Sequence, residues 1–385
     1  IQRGKTHDCK VILASATPSL ESYARAYKGV YRLIEMKARI NQRPLPEVEI
    51  VDMKECLRCG GNAMLSPSLM EALDGCLRRG EQAMLLLNRR GYTPVLRCLS
   101  CGEVLKCPHC EVALSYHKQE NCLKCHVCGY SRILPGHCPT CGANDWRSLG
   151  MGTQRLEEYV HHCFPQARIV RMDADTTRAK GAHETLRELF SKDADILLGT
   201  QMIAKGLDYA RVTLVGILNA DAMLNRGDYR CSEMTYDLLE QACGRSGRGE
   251  RSGRVILQAY DCAHYAVRCA AAHDYEGFFR REMQFRHLAQ YPPYAYLSAV
   301  VLHHRNAQTV REDALAARET LSGGAFKVLG PIELGRLRDE CRWRLILKGK
   351  DRHEQAAALR RLAQAHRMQK RRSRLEIDVD LMMLE

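Results

Sequence analysis

Ala83-Met84-Leu85-Leu86-Leu87-Asn88-Arg89-Arg90-Gly91 is the stretch on which the fold turns. Alternate side chains of a strand point to opposite faces, so five apolar residues in a row leave no wet face. Such a run suits a strand of a parallel sheet covered on both sides. The same texture returns at 196–198, 212–218 and 255–258, with helical spacing between at 154–163, 181–190 and 235–244. Strands alternating with helices predict a parallel α/β sheet. Upstream, 47–53 reads as a strand and 66–79 as a helix, with Leu69, Met70, Leu73 and Leu77 on one stripe. Residues 10–14 read as a short buried strand followed by the loop Ser15-Ala16-Thr17-Pro18-Ser19, with Pro18 opening a helix to about residue 26. Residues 41–46 carry two prolines in a polar setting and read as a linker. Beyond about residue 260 the rhythm changes: a helical stretch to 290, a turn at Tyr291-Pro292-Pro293-Tyr294, then short strands alternating with helices.

The rhythm also breaks between Cys98 and Cys141, where large apolar residues are few and Cys, Gly and Pro many. Four Cys-x-x-Cys pairs stand at Cys98/Cys101, Cys107/Cys110, Cys125/Cys128 and Cys138/Cys141. A two-residue spacer lets one tight turn offer two thiolates to one tetrahedral ion. Gly102, Gly129 and Gly142 follow three of the pairs and permit positive φ where the knuckle turns back. Pro108 and Pro139 fix φ after the first Cys of theirs. Eight thiolates make two closed Cys₄ sites, structural rather than catalytic, with zinc favoured over iron–sulfur, free thiols or a redox pair. Spacing alone allows nested, sequential or crossed pairing, and Cys122 confuses the register. Cys56 and Cys59 form a fifth knuckle without an evident partner, read as two incidental thiols.

Lys and Arg number 58 against 45 Asp and Glu, a net charge of +13 that favours a polyanion partner, most simply nucleic acid. Apolar residues at 45% support sizeable cores. No apolar run is long enough to span a membrane, and the N-terminus lacks signal-peptide regions. The 19 cysteines, an odd number arranged in knuckles, fit thiolates on metal in a reducing compartment. The chain starts at Ile1, almost inside a strand, and reads as a fragment.

Three more motifs stand in order: Ser15-Ala16-Thr17-Pro18; Gly199-Thr200-Gln201-Met202-Ile203-Ala204-Lys205-Gly206-Leu207-Asp208; and Gln241-Ala242-Cys243-Gly244-Arg245-Ser246-Gly247-Arg248. Arg can stabilise charge on a transferring phosphoryl group, and Thr and Gln at a strand end can hold a nucleic-acid phosphate. In this order the motifs resemble superfamily 2 helicases. Leu87-Asn88-Arg89-Arg90-Gly91-Tyr92 before the eight cysteines, with Gly150-Met151-Gly152-Thr153 after them, narrows the resemblance to the PriA family of replication restart helicases. Further matches are Tyr291-Pro292-Pro293, Val328-Leu329-Gly330-Pro331, Arg342-Trp343-Arg344 and Ile377-Asp378-Val379-Asp380.

The resemblance implies an α/β fold: a RecA-like helicase lobe with an inserted Cys₄ zinc-knuckle module and a C-terminal α+β domain. Residues 1–45 would be the end of a first lobe and linker, 46–97 the start of a second lobe, 98–148 the zinc insertion, 149–260 the rest of the lobe, and 261–385 a helical connection and C-terminal primosomal domain. It also implies that Cys98 and Cys101 share a zinc with Cys138 and Cys141, and Cys107 and Cys110 with Cys125 and Cys128. Arg248 resembles the arginine finger, with Arg245 and Gln241 at the nucleotide interface and Lys205, Gly206 and Asp208 contacting the nucleotide. Thr200, Gln201, Arg89 and Arg90 resemble DNA contacts, and Ser15 and Thr17 the motif coupling hydrolysis to strand movement. The implied activity is an ATP-dependent 3′–5′ DNA helicase using two structural Zn²⁺, with ATP and Mg²⁺ in the intact protein. The implied partners are single-stranded and forked DNA, single-stranded-DNA-binding protein and other primosome and loader proteins. The implied state is a bacterial cytoplasmic monomer at forks. Gly4-Lys5-Thr6 is a decoy for a phosphate loop, since ten positions separate Lys5 from Ser15; on this reading the chain alone hydrolyses no ATP. Tyr209, Ser246 and Leu381 depart from the family's usual Phe, Ala and Pro. The rival reading is a zinc-stapled binding platform without a motor; a topoisomerase-linked helicase is disfavoured by the C-terminal matches.

Overall fold

The computed structural model describes the chain except residues 37–44, 63, 89–94, 110–112, 118–119, 148–151, 174–175, 178–180, 202, 204–208, 227, 248–250 and 385. Its centre is a six-stranded parallel sheet made of β1 (Glu47–Asp52), β2 (Gln82–Leu87), β3 (Ile169–Met172), β4 (Ile196–Gly199), β5 (Val212–Leu218) and β6 (Arg254–Ala259). The order across it is β1-β6-β5-β2-β4-β3. All six residues of β2 are buried. Ala83, Leu85 and Leu87 face one apolar cluster, while Met84 and Leu86 face the other, which is why the apolar run is unbroken.

On the Leu85 face lie α2 (Pro67–Arg78) and α3 (Thr153–Cys163). Ser66 caps α2 by accepting the Leu69 N–H, Pro67 sits in its first turn, and Leu69, Leu73 and Cys76 are buried. On the Met84 face lie α1 (Leu20–Tyr27), α4 (Ala182–Asp193), α5 (Cys231–Cys243), α6 (Tyr265–Ala271) and α7 (Tyr275–Ala289). Ser19 rather than Pro18 begins α1, its side chain accepting from the Ser22 N–H.

Two expectations fail upstream. Residues 10–14 form no strand, and Val11, Ile12 and Leu13 are 46%, 88% and 60% exposed. A strand needs a neighbour for its backbone groups, and no described strand pairs with this segment. The chain opens instead with a short helix, Gln2–Thr6, which contains Gly4, Lys5 and Thr6.

The C-terminal region is an antiparallel sheet of β7 (Tyr296–His304), β8 (Phe326–Leu337), β9 (Glu340–Gly349) and β10 (Arg374–Val379), ordered β8-β9-β7-β10, with α8 (Ala307–Leu321) and α9 (Arg352–Met368) on one face. Its strands are longer than the sequence suggested. Leu345 and Leu347 of β9 point toward the helices, while Ile346 joins a cluster shared with the cysteine-rich module. That module leaves the lobe after β2 and returns before α3. Its neck is the antiparallel pair Arg97–Cys98 and Trp146–Arg147, and its body a three-stranded sheet of Ser115–His117, Cys122–Lys124 and Ser131–Ile133. Among the described residues no helix is long and apolar enough to cross a membrane.

Candidate metal centre and motor site

The cysteine pairs settle into two groups. Cys98, Cys101, Cys138 and Cys141 present sulfurs that all lie within 4.8 Å of one another, and Cys107, Cys125 and Cys128 do the same. Cys110 lies outside the described residues. Spacing left the pairing open; the neck decides it, because joining residues 97–98 to 146–147 brings the first and last knuckles together. Sulfurs meet at 3.6 Å (Cys98–Cys141), 3.5 Å (Cys101–Cys138) and 3.6 Å (Cys107–Cys128). A tetrahedral ion with bonds of about 2.3 Å sets sulfurs about 3.8 Å apart, so the donor sets fit zinc.

The knuckles themselves are shaped by backbone. Gly102, Gly129 and Gly142 have φ of 76°, 82° and 74°, and each N–H donates to the carbonyl of its pair's first Cys at 2.8, 3.0 and 2.8 Å. Burial and neighbouring sulfurs push the Cys101 thiol up to about 12. Burial also acts to raise Cys138, but the Cys141 and Thr140 N–H groups bring it down to about 7. A metal arriving here therefore displaces protons. Cys122 stands apart with its thiol on Glu120, and Cys56 and Cys59 belong to no metal-capable group among the described residues, their thiols reaching Asn62 O and Glu55.

The module is anchored on both sides. Arg97 is buried, its Nη2 3.1 Å from Asp221 Oδ2 and its guanidinium over the Tyr260 ring at 4.3 Å. Asp221 also accepts the Tyr260 and Asp261 N–H groups, so the buried pair is hydrogen-bonded throughout. From the C-terminal sheet, Arg344 Nη2 donates to His126 O at 2.6 Å, inside the third knuckle.

The motor motifs converge in part. Thr17, 8% exposed, accepts from Gln241 Nε2 at 3.3 Å. Ser15 Oγ accepts the Thr17 N–H and donates to Thr17 O, which fixes the loop. Arg245 follows Gln241 by four residues, at the C-terminal end of α5. Ser246 is buried and donates to Thr213 O and Arg254 O, which accounts for a hydroxyl where the family has Ala. Likewise the Leu381 N–H donates to Leu297 O at 2.8 Å, a bond proline lacks. Tyr209 packs edge-on against Phe190. Arg248, Lys205, Gly206, Asp208, Arg89 and Arg90 lie outside the described residues.

Thr200 is half-buried at the end of β4, but Gln201 turns inward: its Nε2 reaches Met223 Sδ at 2.8 Å and Asn88 Oδ1 at 3.4 Å. Asn88, in turn, donates to Ala220 O at 3.0 Å. In this arrangement Gln201 braces Asn88. These partners are far apart in sequence, and only the polar Asn ending an apolar strand hinted at a role.

Sequence reasoning missed a second junction. Arg286 on α7, fully buried, bonds Glu282 at 2.9 Å, Glu233 on α5 at 2.7 Å and Glu21 on α1 at 3.0 Å. Arg230 joins at 3.0 Å from Glu233. Burial alone would raise the Glu233 carboxyl, but Arg230 and Arg286 hold it below the ordinary carboxylate range; burial keeps Glu282 above it. The Leu20 N–H also donates to Glu233, and Tyr275 Oη to Pro18 O. The segment carrying Ser15 and Thr17 is thereby tied to the helix carrying Gln241. An Arg seven positions before Pro293, within a helical stretch, gave no sign of this.

Comparison with known proteins agrees along the chain. Residues 107–132 match the model of the PriA DNA helicase Cys-rich region domain, 149–250 the helicase conserved C-terminal domain, and 287–382 the primosomal protein N C-terminal domain. Replication restart protein PriA of Bacillus subtilis (strain 168) is 44% identical over 387 residues, covering 99% of this chain and 48% of that protein. The Synechocystis protein of the same name is 39% identical over 361 residues, covering 90% and 43%. The chain thus spans about half the length of the curated relatives it matches. Yeast Dbp5 bound to RNA and ADP BeF3 superposes only loosely, with a TM-score of 0.35 at 12% identity over 74% of this chain and 55% of that one.

Proposed function

We propose, from the premise that this chain belongs to the PriA family of replication restart proteins, that it supplies the second motor lobe, zinc module and C-terminal domain of an ATP-dependent 3′–5′ DNA helicase. The contact that carries this reading is Gln241 on Thr17. It joins the loop proposed to couple hydrolysis to movement with the helix that leads to Arg245 and Arg248.

On this reading Arg248 and Arg245 reach a nucleotide at the lobe interface and stabilise charge on the transferring phosphoryl group. Asp208, Lys205 and Gly206 flank the same nucleotide. Thr200, Arg89 and Arg90 hold DNA phosphates, and Gln201 acts through Asn88. Zinc, when bound by the two cysteine groups, supplies folding energy rather than chemistry. The proposed division is 1–45, 46–97, 98–148, 149–260 and 261–385. The proposed setting is a bacterial fork in the cytoplasm, in the company of single-stranded-DNA-binding protein and loader proteins.

The test is DNA-stimulated ATP hydrolysis by the intact gene product. Arg248→Ala is expected to lower kcat by about 10³-fold or more, the scale of an arginine finger, with DNA affinity retained. ATPase activity indifferent both to DNA and to that substitution would leave the zinc-stapled platform as the better account.

A further inference from the structure

A cavity of about 450 Å³ opens where the cysteine module, the motor lobe and α7 meet. That is within the span of small-molecule sites, about 300–1,000 Å³. Its chemistry is two-sided. Leu224, Phe285 and Tyr291 give it apolar and aromatic wall, while Lys106 and Arg226 bring cations. Cys231 and Ser232, the first residues of α5, also line it. This thirteen-residue helix starts there without a side-chain cap, its N-cap being Arg230. An uncapped helix start favours an anion through its N–H groups and dipole. A second observation points to a ligand independently: Tyr229 is 4% exposed, lines the cavity, and its Oη has no hydrogen-bond partner. Asp228 also lines the space, but its carboxylate is engaged by the Arg230 and Leu384 N–H groups.

We infer that this cavity is a one-nucleotide site, taking a phosphate against the start of α5, Lys106 and Arg226, and a base against Phe285, Tyr291 and Leu224, with Tyr229 Oη bonding the ligand. It lies at the opposite end of α5 from the nucleotide-facing Gln241. Nine residues separate Ser232 from Gln241, about 14 Å at the helical rise. Its neighbour is the strand path instead: Leu224 belongs to the 3₁₀ turn Ala222–Asn225, whose Met223 receives the Gln201 amide. The occupant is therefore one nucleotide of a single strand passing between motor lobe and cysteine module, an assignment that rests on the function proposed above.

The experiment uses the chain, zinc-loaded, with an oligo(dT) carrying one 5-iodouracil. Photocross-linked peptides are mapped with and without free dTMP, and 5-iodo-dUMP is run as a separate arm. Adducts are expected on the peptides containing Tyr229, Phe285 or Tyr291. Ser232→Asp keeps an acceptor for Tyr265 Oη, which donates to Ser232 Oγ at 3.0 Å. It also suits a helix start, but sets a carboxylate where the phosphate belongs, so oligonucleotide affinity is expected to fall about fivefold or more, while Ser232→Asn stays near wild type. Lys106→Glu is expected to reduce the salt slope by about 1. Adducts mapping elsewhere while the oligonucleotide binds, or Ser232→Asp binding like Ser232→Asn, overturns the site and spares the proposed function. Adducts only with 5-iodo-dUMP make it a free-nucleotide site and overturn the strand assignment. An oligonucleotide that fails to bind at low salt sinks the proposed function, and the 5-iodo-dUMP arm then judges the cavity alone.

Discussion

Strand β2 of the motor lobe is buried at all six residues, whereas the module's strand Ser131–Ile133 is exposed at all three. The lobe has an apolar cluster on each face of its sheet. The module's few apolar residues, such as Leu105, Leu114, Leu123 and Val127, pack mostly by borrowing Tyr291, Leu297 and Ile346 from the C-terminal region. One region is ordered by area removed from water and the other by thiolates around an ion, so the two respond to different insults.

Metal removal gives the widest separation. Apparent binding free energies of structural zinc are about 10–16 kcal/mol, so a chelator, or Cys107→Ser, is expected to abolish hydrogen-exchange protection across 98–147 while β2, β4 and β5 stay protected. Loss of protection in β2 on the same timescale would mean the regions are one cooperative unit. The converse insult is Leu86→Ala, at a residue with 0% exposure. It is expected to lower lobe stability by about 2–5 kcal/mol in denaturant melts, with zinc content unchanged. Gly129→Ala probes the knuckle most gently. Its φ of 82° disfavours a Cβ, which would also meet Ile332 Cγ2 at 3.0 Å. A cost of about 1–2 kcal/mol should appear as roughly tenfold weaker zinc retention against a competing chelator, with the lobe's melt unmoved.

How much was legible follows the same divide. Ala83–Leu87 and the run at 212–218 announced themselves because two-sided burial leaves a continuous apolar signature. β3 did not, since Ile169–Met172 alternates between half-buried and buried at the sheet edge. The triplet Val11-Ile12-Leu13 was misread because apolar character does not supply a neighbouring strand. In the module, ligand identity was written in the spacing, but the pairing of knuckles depends on the Arg97–Cys98 neck finding Trp146–Arg147. At the motor site, Thr17 and Gln241 were each legible, and their meeting across 224 positions was not. The inward turn of Gln201 was hidden for the same reason: Met223 became its partner only through the fold.

The shared guanidinium of Arg286 has an evolutionary corollary. Three carboxylates, Glu21, Glu233 and Glu282, lean on one cation with 0% exposure, so substituting it alone strands their charge in a dry interior. Drift at these four positions must then be concerted. Across descendants of a common ancestor they should vary as a block, with charge at one site predicting charge at the others, while the exposed pair Arg352–Asp380 turns over independently.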